Sequence, residues 1–258
     1  MIKAVFFDID GTLVSFKTHA IPQSTIEALA ALRERGIKVF IATGRPLVAI
    51  NNLGDQVFDG YVTMNGGCVL VGDDKVIHRQ IIPEEDVQAL FRYWEKEGEF
   101  PCAFVLEHKI WMNYTDKAVD EIFCMLNFPA PPICPLEQIK GQAVSQIIAF
   151  FTEEKEKHIM EILPHCESTR WNPLFTDLVP LGISKRVGID KMLEYFRISL
   201  DECMAFGDGG NDIQMLSHAG IGIAMGNASD EVKKVADFVT DSVDEDGVYK
   251  ALKHFKVI

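Results

Sequence analysis

The chain has 258 residues, of which 48% are hydrophobic and 24% charged, as in an ordinary globular protein. Its 38 acidic and 25 basic residues give a formal net charge of −13. This balance argues against a nucleic-acid partner and against docking on an anionic membrane, because both call for a basic surface. The six cysteines form no CxxC pair, so they indicate reduced thiols in a cytoplasmic protein rather than a zinc site or a disulfide framework.

We expect neither a targeting segment nor a membrane-spanning helix. The apolar run at the start of the chain is interrupted at Asp8, and no small-residue cleavage site follows it. No other stretch approaches the roughly 20 apolar residues that a spanning helix needs.

The first part of the chain alternates between strand and helix patterns. Short apolar runs, which predict buried strands, lie at residues 3–7, 37–41 and 60–64. The apolar spacing of helices is present at residues 22–35 and 46–53. Strands and helices in this alternation imply right-handed crossovers and a parallel sheet. A small hairpin is predicted where residues 69–71 and 76–78 flank a polar turn.

The middle of the chain has a different pattern. Predicted helices lie at residues 83–98, 115–126 and 152–163. Predicted strands lie at residues 103–107, 110–113, 142–151, 167–171 and 175–179. These elements form two strand–strand–helix-like units, which suggest an α+β insertion packed over its own sheet.

The end of the chain returns to the alternating pattern. Predicted helices lie at residues 184–196, 212–219, 229–236 and 244–255. Predicted strands lie at residues 203–206, 221–224 and 238–239. We therefore expect an α/β pattern at the end of the chain as well as at its start.

The strongest functional signal is the sequence DIDGT at residues 8–12, directly after the first predicted strand. Ligands bind at the carboxyl ends of strands in open parallel sheets. Asp8 and Asp10 can converge there, because Gly11 lets the chain turn sharply away. Crowded carboxylates repel one another, and a hard cation with oxygen ligands relieves that repulsion. Mg²⁺ is the natural candidate, because it keeps waters and shares its coordination shell with phosphate.

A second signal follows the second predicted strand. Thr43, Gly44 and Arg45 offer a hydroxyl, a permissive backbone N–H and a guanidinium at the same edge of the sheet. Together these groups can hold a phosphate dianion.

Two more signals lie near the end of the chain. Lys185 starts a predicted helix, where a cation is disfavoured unless a negative partner is close. The sequence FGDGGND at residues 206–212 again ends an apolar strand. Asp208 is placed to reach a metal held by Asp8, and Asp212 is placed to orient that coordination shell.

In this order, the four motifs resemble those of the haloacid dehalogenase-like (HAD) superfamily, most closely its Cof-type sugar-phosphate phosphatases. The resemblance rests on FFDIDGTL, IATGR, the Lys185 region and FGDGGNDIQML, with MNGG at residues 64–67 and DEDGV at 244–248. It implies a Rossmann-like parallel-sheet core formed by residues 1–81 and 182–258. Residues 82–181 are placed and sized like the family's larger α/β cap (the C2B type), which would set substrate choice.

The resemblance also implies a role for each matching residue. Asp8 would be the nucleophile that forms an aspartyl-phosphate. Asp10 would protonate the leaving alcohol and then activate the hydrolytic water. Mg²⁺ would be held by the carboxylates of Asp8 and Asp208 and the backbone carbonyl of Asp10, with Asp212 supporting the metal shell. The residues implied to bind the phosphoryl group and the substrate are Thr43, Gly44, Arg45, Lys185 and Asn211.

The third motif departs slightly from the family pattern. The family often has a glycine next to this lysine or soon after it, whereas Arg186 and Val187 separate Lys185 from Gly188. The lysine that follows Ser184 is still the best match.

The leading hypothesis is a hydrolase that acts on small phosphorylated metabolites, with hexose phosphates as the first expectation. Pentose phosphates, polyol phosphates, flavin mononucleotide and pyridoxal phosphate remain open, and no oligomeric state is indicated. A sugar phosphomutase would return the phosphoryl group to another hydroxyl instead of to water. A non-catalytic regulator that binds metal or phosphate is disfavoured, because Asp8, Asp10 and Lys185 are all present.

Within the insertion, three residues are candidates for contact with a sugar. Trp171 could stack on the sugar face, and Arg170 and Asp177 could bond its hydroxyls. The competing interpretation of Trp171 is core packing.

Overall fold

The computed structural model describes residues 1–72 and 74–258, and the side chain of Trp171 lies outside this description. The chain divides into two compact units, one formed by Met1–Arg79 with Ser184–Ile258 and the other by Gln80–Ile183. Within the described residues, every helix is too short or too polar to span a bilayer.

The elements are numbered in chain order. The strands are β1 (Ala4–Phe7), β2 (Lys38–Ala42), β3 (Gly60–Thr63), β4 (Cys68–Val71), β5 (Lys75–Arg79), β6 (Cys102–Val105), β7 (Ile110–Met112), β8 (Gln146–Ala149), β9 (Cys166–Asn172), β10 (Phe175–Pro180), β11 (Cys203–Gly207), β12 (Ile221–Ala224) and β13 (Phe238–Val239). The helices are α1 (Gln23–Glu34), α2 (Glu84–Glu97), α3 (Lys117–Met125), α4 (Glu153–Ile162), α5 (Lys185–Phe196), α6 (Ile213–His218), α7 (Asp230–Val235) and α8 (Gly247–His254).

The first unit is built on one sheet with the strand order β13-β12-β11-β1-β2-β3-β4-β5. The strands from β13 to β3 pair in parallel, whereas the hairpin β4–β5 extends the sheet in antiparallel fashion. The chain adds β2 and β3 on one side of β1, and β11 to β13 on the other. The carboxyl end of β1 is therefore a topological switch point, where open α/β sheets bind their ligands. The predicted α/β parallel-sheet fold is confirmed.

Both faces of this sheet are covered, so its central strands β1 and β11 are buried at every position. Phe6 stacks on Phe40 with 4.8 Å between ring centroids, and α5 and α6 pack on this face. Phe7 stacks on Phe206 at 4.9 Å on the opposite face, which α1 and α8 cover. Burial of each phenyl side chain contributes about 1.5–3 kcal/mol, so the two stacks hold β1 firmly between β2 and β11.

The second unit has a separate antiparallel sheet in the order β7-β6-β8-β10-β9. Helices α2 and α4 belong to the same core as one face of this sheet, where Phe91 and Trp94 of α2 pack with Phe104 of β6. The opposite side of α2 is charged, as expected for a helix with one buried stripe. The predicted α+β insertion with its own sheet is confirmed.

The helix predicted at residues 46–53 is wrong, because this segment contains only a single 3-10 turn, Leu47–Ala49. The chain leaves that turn at Ile50, whose ψ of 101° is extended. Two asparagines and a glycine follow within four residues, and these residue types favour turns over the continuation of a helix.

Gly188 lies on the face of α5 that packs against β3. A Cβ atom at this position would lie 2.2 Å from a methyl carbon of Val62 and 3.2 Å from the Cα of Gly66. Gly188→Ala should therefore push α5 away from the sheet and lower the free energy of unfolding by about 1–3 kcal/mol, the usual cost of an overpacked core. Urea-induced unfolding followed by circular dichroism measures this change.

The matched control is Glu194→Ala, on the exposed side of the same helix. It should change the free energy of unfolding by no more than about 0.5 kcal/mol. Equal stability of the Gly188→Ala protein and the wild type would contradict the close packing of α5 on β3.

Candidate active site

The predicted site residues gather at the carboxyl edge of the first unit's sheet. Asp8 follows β1, Thr43 follows β2 and Asp208 follows β11, and these three strands are neighbours. The backbone N–H of Asp8 donates to the carbonyl oxygen of Phe206 at 3.0 Å, so the parallel pairing continues into the site. Side chains that are far apart in sequence are brought together by strand order alone.

Lys185 is the first residue of α5, and its side chain is fully buried. Its Nζ donates to Asp8 Oδ1 at 2.7 Å and to Asp212 Oδ1 at 2.6 Å. The start of the helix is capped separately, because the hydroxyl of Ser184 accepts the N–H of Val187. The unfavourable helix position of this cation is therefore compensated by two carboxylate partners.

Burial and charge repulsion shift the pKa values of the groups in the site. Burial raises the pKa of Asp8 to about 7, with Lys185 opposing the rise and the charges of Asp212 and Asp10 adding to it. Burial and the charge of Asp8 raise the pKa of Asp208 well above its ordinary value. Burial alone would lower the pKa of Lys185, but the charges of Asp212 and Asp8 outweigh it and raise that pKa. The carboxylates therefore compete for too little positive charge, which favours the binding of a further cation.

Gly11 allows the carboxylate of Asp208 to approach the DIDGT turn. The φ of Gly11 is +85°, and a Cβ at this position would lie only 2.2 Å from Asp208 Oδ2. The hydroxyl of Thr12 donates to Asp208 Oδ1 at 2.9 Å. The amide of Asn227 donates to Asp208 Oδ2 at 3.1 Å and to the carbonyl oxygen of Gly11 at 2.9 Å. Any side chain at position 11 would displace the carboxylate of Asp208.

The carboxylates fit a hard divalent cation. Asp8, Asp208 and Asp212 each offer an oxygen, and these oxygens lie within 4.8 Å of one another. Both oxygens of Asp212 are already engaged, Oδ1 by Lys185 and Oδ2 by the backbone N–H groups of Asp208 and Gly209 at 2.9 Å each. Asp212 therefore orients Lys185 and the turn at Asp208, and the predicted direct ligands remain Asp8 and Asp208. An all-oxygen donor set of this kind suits Mg²⁺.

Thr43, Gly44 and Arg45 lie where β2 ends, but the side chain of Arg45 turns toward Asp10. Arg45 Nε donates to Asp10 Oδ2 at 2.6 Å, and Nη2 donates to Asp10 Oδ1 at 2.7 Å. The hydroxyl oxygen of Thr43 accepts the backbone N–H of Arg45 at 3.1 Å. The structure thus joins the second motif to the first through an ion pair between their side chains.

Asn211 is held by a residue from another loop. Its Nδ2 donates to Asn65 Oδ1 at 2.9 Å. Asn65 is buried in the left-handed region with a φ of 53°, and its backbone N–H donates to the carbonyl oxygen of Thr43 at 3.1 Å. Asn65 therefore connects the loop after β11 to the loop after β2.

Three residues of this edge were not among the predicted site residues. Thr12 and Asn227 hold Asp208, and Asn65 holds Asn211. Asn227 could have been suspected, because it follows the parallel strand β12 at the same edge as the four motifs. The signal at Asn65 is an asparagine directly before two glycines, a pattern that favours a left-handed turn.

In the second unit, Arg170 is engaged internally rather than open to a substrate. Its Nε donates to Glu156 at 2.7 Å, and the remaining guanidinium nitrogens donate to backbone carbonyls that include those of Phe151 and Phe175. Asp177 is buried. The prediction for the side chain of Trp171 lies outside the described residues.

Residues 5–252 match the family of haloacid dehalogenase-like hydrolases. The chain belongs to this family. The resemblance that the motifs indicated is therefore confirmed, and the HAD-like chain is a phosphatase, a hydrolase of phosphoric monoesters.

Three similar proteins show which chemistry accompanies this fold. The chain is 36% identical to YkrA of Bacillus subtilis (strain 168), over 99% of this chain and 98% of that protein. YkrA is named as a phosphatase. It is 27% identical to the 5-amino-6-(5-phospho-D-ribitylamino)uracil phosphatase YcsE of the same organism, over 98% and 96% of the two chains. A solved sugar phosphatase of HAD subclass IIB is 49% identical with a TM-score of 0.93, over 99% of this chain and 100% of that one.

Lys185→Met removes the buried ammonium and leaves the carboxylates of Asp8 and Asp212 facing each other without a cation. Breaking a buried ion pair by removing one partner typically costs about 3–5 kcal/mol, and we expect a loss of this size in the free energy of unfolding. Chemical denaturation in the presence of EDTA measures it without any contribution from a metal.

Lys191→Met provides a matched control, because Lys191 is exposed on the same helix and lies 3.5 Å from Glu194. This variant should lose no more than about 1 kcal/mol, since exposed ion pairs contribute little. Similar losses in the two variants would show that the buried ion pair does not organise this edge of the sheet.

Proposed function

We propose that this HAD-like phosphatase is Mg²⁺-dependent and acts on sugar phosphates, with hexose phosphates as the first class to test. The observation that carries the proposal is the buried ammonium of Lys185 between Asp8 and Asp212, at the switch point of the sheet. A nucleophile beside a fixed positive charge and a carboxylate cluster is what phosphoryl transfer needs, because its catalysis is mainly positioning and charge neutralisation.

In the first step of the proposed reaction, a carboxylate oxygen of Asp8 attacks phosphorus. The ester P–O bond breaks, and the leaving oxygen takes the proton of Asp10, which enters this step as the carboxylic acid and leaves it as the carboxylate. In the second step, water attacks the aspartyl-phosphate while its proton passes to Asp10, and the bond between Asp8 and phosphorus breaks to release inorganic phosphate. Both steps use the same two carboxylates, which lie one residue apart in the turn after β1.

The remaining site residues would hold the phosphoryl oxygens. Lys185 supplies a fixed positive charge, and Thr43, the N–H of Gly44 and the amide of Asn211 supply hydrogen-bond donors at the same edge. Mg²⁺ bound by Asp8, Asp208 and the backbone carbonyl of Asp10 would add charge neutralisation at the phosphoryl group. Asp212 keeps Lys185 and the turn at Asp208 in place through the hydrogen bonds described above.

The proposed substrate class is supported by the similar proteins. One is a sugar phosphatase, and another acts on a phosphorylated ribityl compound, so both act on polyhydroxylated phosphate esters. We assign the choice of substrate to the inserted residues 82–181, because the motifs of the core would bind only the phosphoryl group of the substrate. The proposal includes a cytoplasmic location, supported by six free thiols of which five are buried.

The decisive measurement is the release of inorganic phosphate from a panel of hexose, pentose, polyol and cofactor phosphates, with Mg²⁺ and with EDTA. We expect release that requires Mg²⁺ and that falls at least about 10³-fold in Asp8→Asn, because the amide is a poor nucleophile. Asp55→Asn, an exposed substitution of the same kind, should retain wild-type activity.

Two results would count against the proposal. An isomeric sugar phosphate in place of inorganic phosphate would identify a phosphomutase. Full activity of Asp8→Asn, or undiminished release in EDTA, would remove the proposed nucleophile or the proposed metal.

The raised pKa of Asp8 predicts how Mg²⁺ binding depends on pH. In the metal-free folded protein Asp8 takes up its proton at about 7 instead of 3.8, so its contribution to stability decreases as pH rises between these values. Below about 7, Mg²⁺ has to displace that proton. The Mg²⁺ concentration for half-maximal thermal stabilisation should therefore rise by up to about tenfold from pH 7 to pH 6 and stay nearly constant above pH 8.

Differential scanning fluorimetry over a series of Mg²⁺ concentrations measures this dependence. Asp208→Asn should abolish most of the stabilisation at every pH, because it removes one of the proposed ligands. A Mg²⁺ midpoint that is the same at pH 6 and pH 8 would mean that the ion does not compete with the Asp8 proton.

A further inference from the structure

The guanidinium of Arg45 binds both oxygens of Asp10. The two donor–acceptor distances are 2.6 Å from Nε and 2.7 Å from Nη2, and the pair is largely shielded from water, with side-chain exposures of 8% for Arg45 and 16% for Asp10. Paired N–H groups on a carboxylate fix its plane as well as its distance, which a single point charge does not.

Arg45 is itself held at several points. Its Nη1 donates to the carbonyl oxygen of Ala49 at 2.9 Å, and Ala49 is the last residue of the 3-10 turn that replaces the predicted helix. Its backbone N–H donates to Thr43, and its backbone carbonyl accepts the N–H of Met64 at 3.1 Å. The guanidinium is therefore a fixed support rather than a mobile surface group.

Asp10, in contrast, follows Asp8 in a turn that has already left the strand. The turn contributes a backbone bridge between Asp10 and Val14, which does not set the direction of the Asp10 side chain. A general acid or base has to lie within hydrogen-bond distance of the oxygen it serves. The direction of the Asp10 carboxylate thus depends on its partner Arg45.

We propose that Arg45 is a positioning residue for Asp10, and that it does not act mainly as a ligand of the substrate phosphate. The inference rests on the proposed function, in which Asp10 transfers the proton to the leaving oxygen and later takes one from water. It changes the assignment of Arg45, which the family resemblance placed among the residues that bind phosphate or substrate.

A positioning role and a phosphate-binding role predict different rate losses when Arg45 is substituted. The difference lies in how the loss depends on the leaving group of the substrate. An alkoxide of high pKa leaves only with a proton from the general acid, whereas a nitrophenolate leaves with little help. A misplaced Asp10 therefore slows a sugar phosphate far more than p-nitrophenyl phosphate. A lost phosphate contact slows both substrates to the same extent, because both carry the same phosphoryl group.

The test compares kcat/KM for the best sugar phosphate of the panel and for p-nitrophenyl phosphate in four proteins. They are the wild type, Arg45→Lys, Asp10→Asn and the double variant. Lysine keeps the charge but cannot make the paired contact. We expect Arg45→Lys to lose about 10²-fold or more with the sugar phosphate, within the range of general acid catalysis, and about tenfold or less with the aryl phosphate.

The double variant separates the roles further. If Arg45 acts through Asp10, adding Arg45→Lys to Asp10→Asn should cost at most about threefold more, because the two substitutions interrupt one interaction. The dissociation constant for inorganic phosphate in the presence of Mg²⁺, measured by calorimetry, should change less than about twofold in Arg45→Lys. Arg186→Lys, an exposed arginine next to Lys185, is the control for the same chemical change.

Three results together would overturn the inference and make Arg45 a phosphate ligand. They are equal losses of kcat/KM with both substrates, a loss in the double variant that equals the product of the two single losses, and weaker binding of inorganic phosphate. The proposed function would stand in that case, since the wild type would still release phosphate. A wild type that releases no phosphate from either compound would refute the proposed function and this inference with it.

Loss of folding in the Arg45→Lys protein would show as a changed circular dichroism spectrum. Arg45→Ala with added guanidinium would then replace it as the test. Guanidinium should restore activity toward the sugar phosphate by at least about tenfold more than activity toward the aryl phosphate. Equal restoration with the two substrates would contradict a role through Asp10.

Discussion

The geometry of the site depends on one buried ammonium group with two carboxylate partners. Lys185 is fully buried, and an isolated charge in that position would be prohibitively unstable. Asp8 comes from the end of β1 and Asp212 from the turn after β11, so their common partner ties two strands to the start of α5. The same contacts leave the site with an excess of acidic groups, because Asp208 adds a further carboxylate at the same edge. The contacts that stabilise the fold therefore also create the cluster of carboxylates that could hold a metal ion.

Much of this arrangement could be predicted from sequence, for a simple reason. Each motif directly follows an apolar strand or begins a helix, and parallel strands bring their carboxyl ends to one edge. Knowing that Asp8, Thr43 and Asp208 each end a strand was therefore enough to place them together. The unfavourable position of Lys185 at a helix start indicated correctly that negative groups lie beside it. The α+β character of the middle segment followed from its change of pattern.

The remaining features depend on contacts that no local pattern contains. The partner of Arg45 could not be predicted, because a guanidinium at a strand end can serve a bound phosphate or a nearby carboxylate equally well. Asn65 accepts a hydrogen bond from Asn211, which lies more than 140 positions away in the sequence. Asn227 donates hydrogen bonds to Asp208 and to the backbone of Gly11. The apolar residues of segment 46–53 predict a helix, but the asparagines and the glycine that follow Leu47–Ala49 favour turns, so only a 3-10 turn forms.

The site is assembled from two stretches of chain, one before and one after the inserted unit in the sequence. Arg79 ends the last strand before the insertion, and Ser184 precedes the helix that carries the buried ammonium. The entropy of closing such a connection grows only with the logarithm of its length, so a doubled insertion adds about 0.6 kcal/mol. A change in the length of the inserted segment therefore alters the stability of the core little, as long as the two ends of the segment stay in place. The same core edge can thus accompany insertions of many sizes, and under the proposed function the inserted segment could change while the groups that transfer the phosphoryl group stay in place.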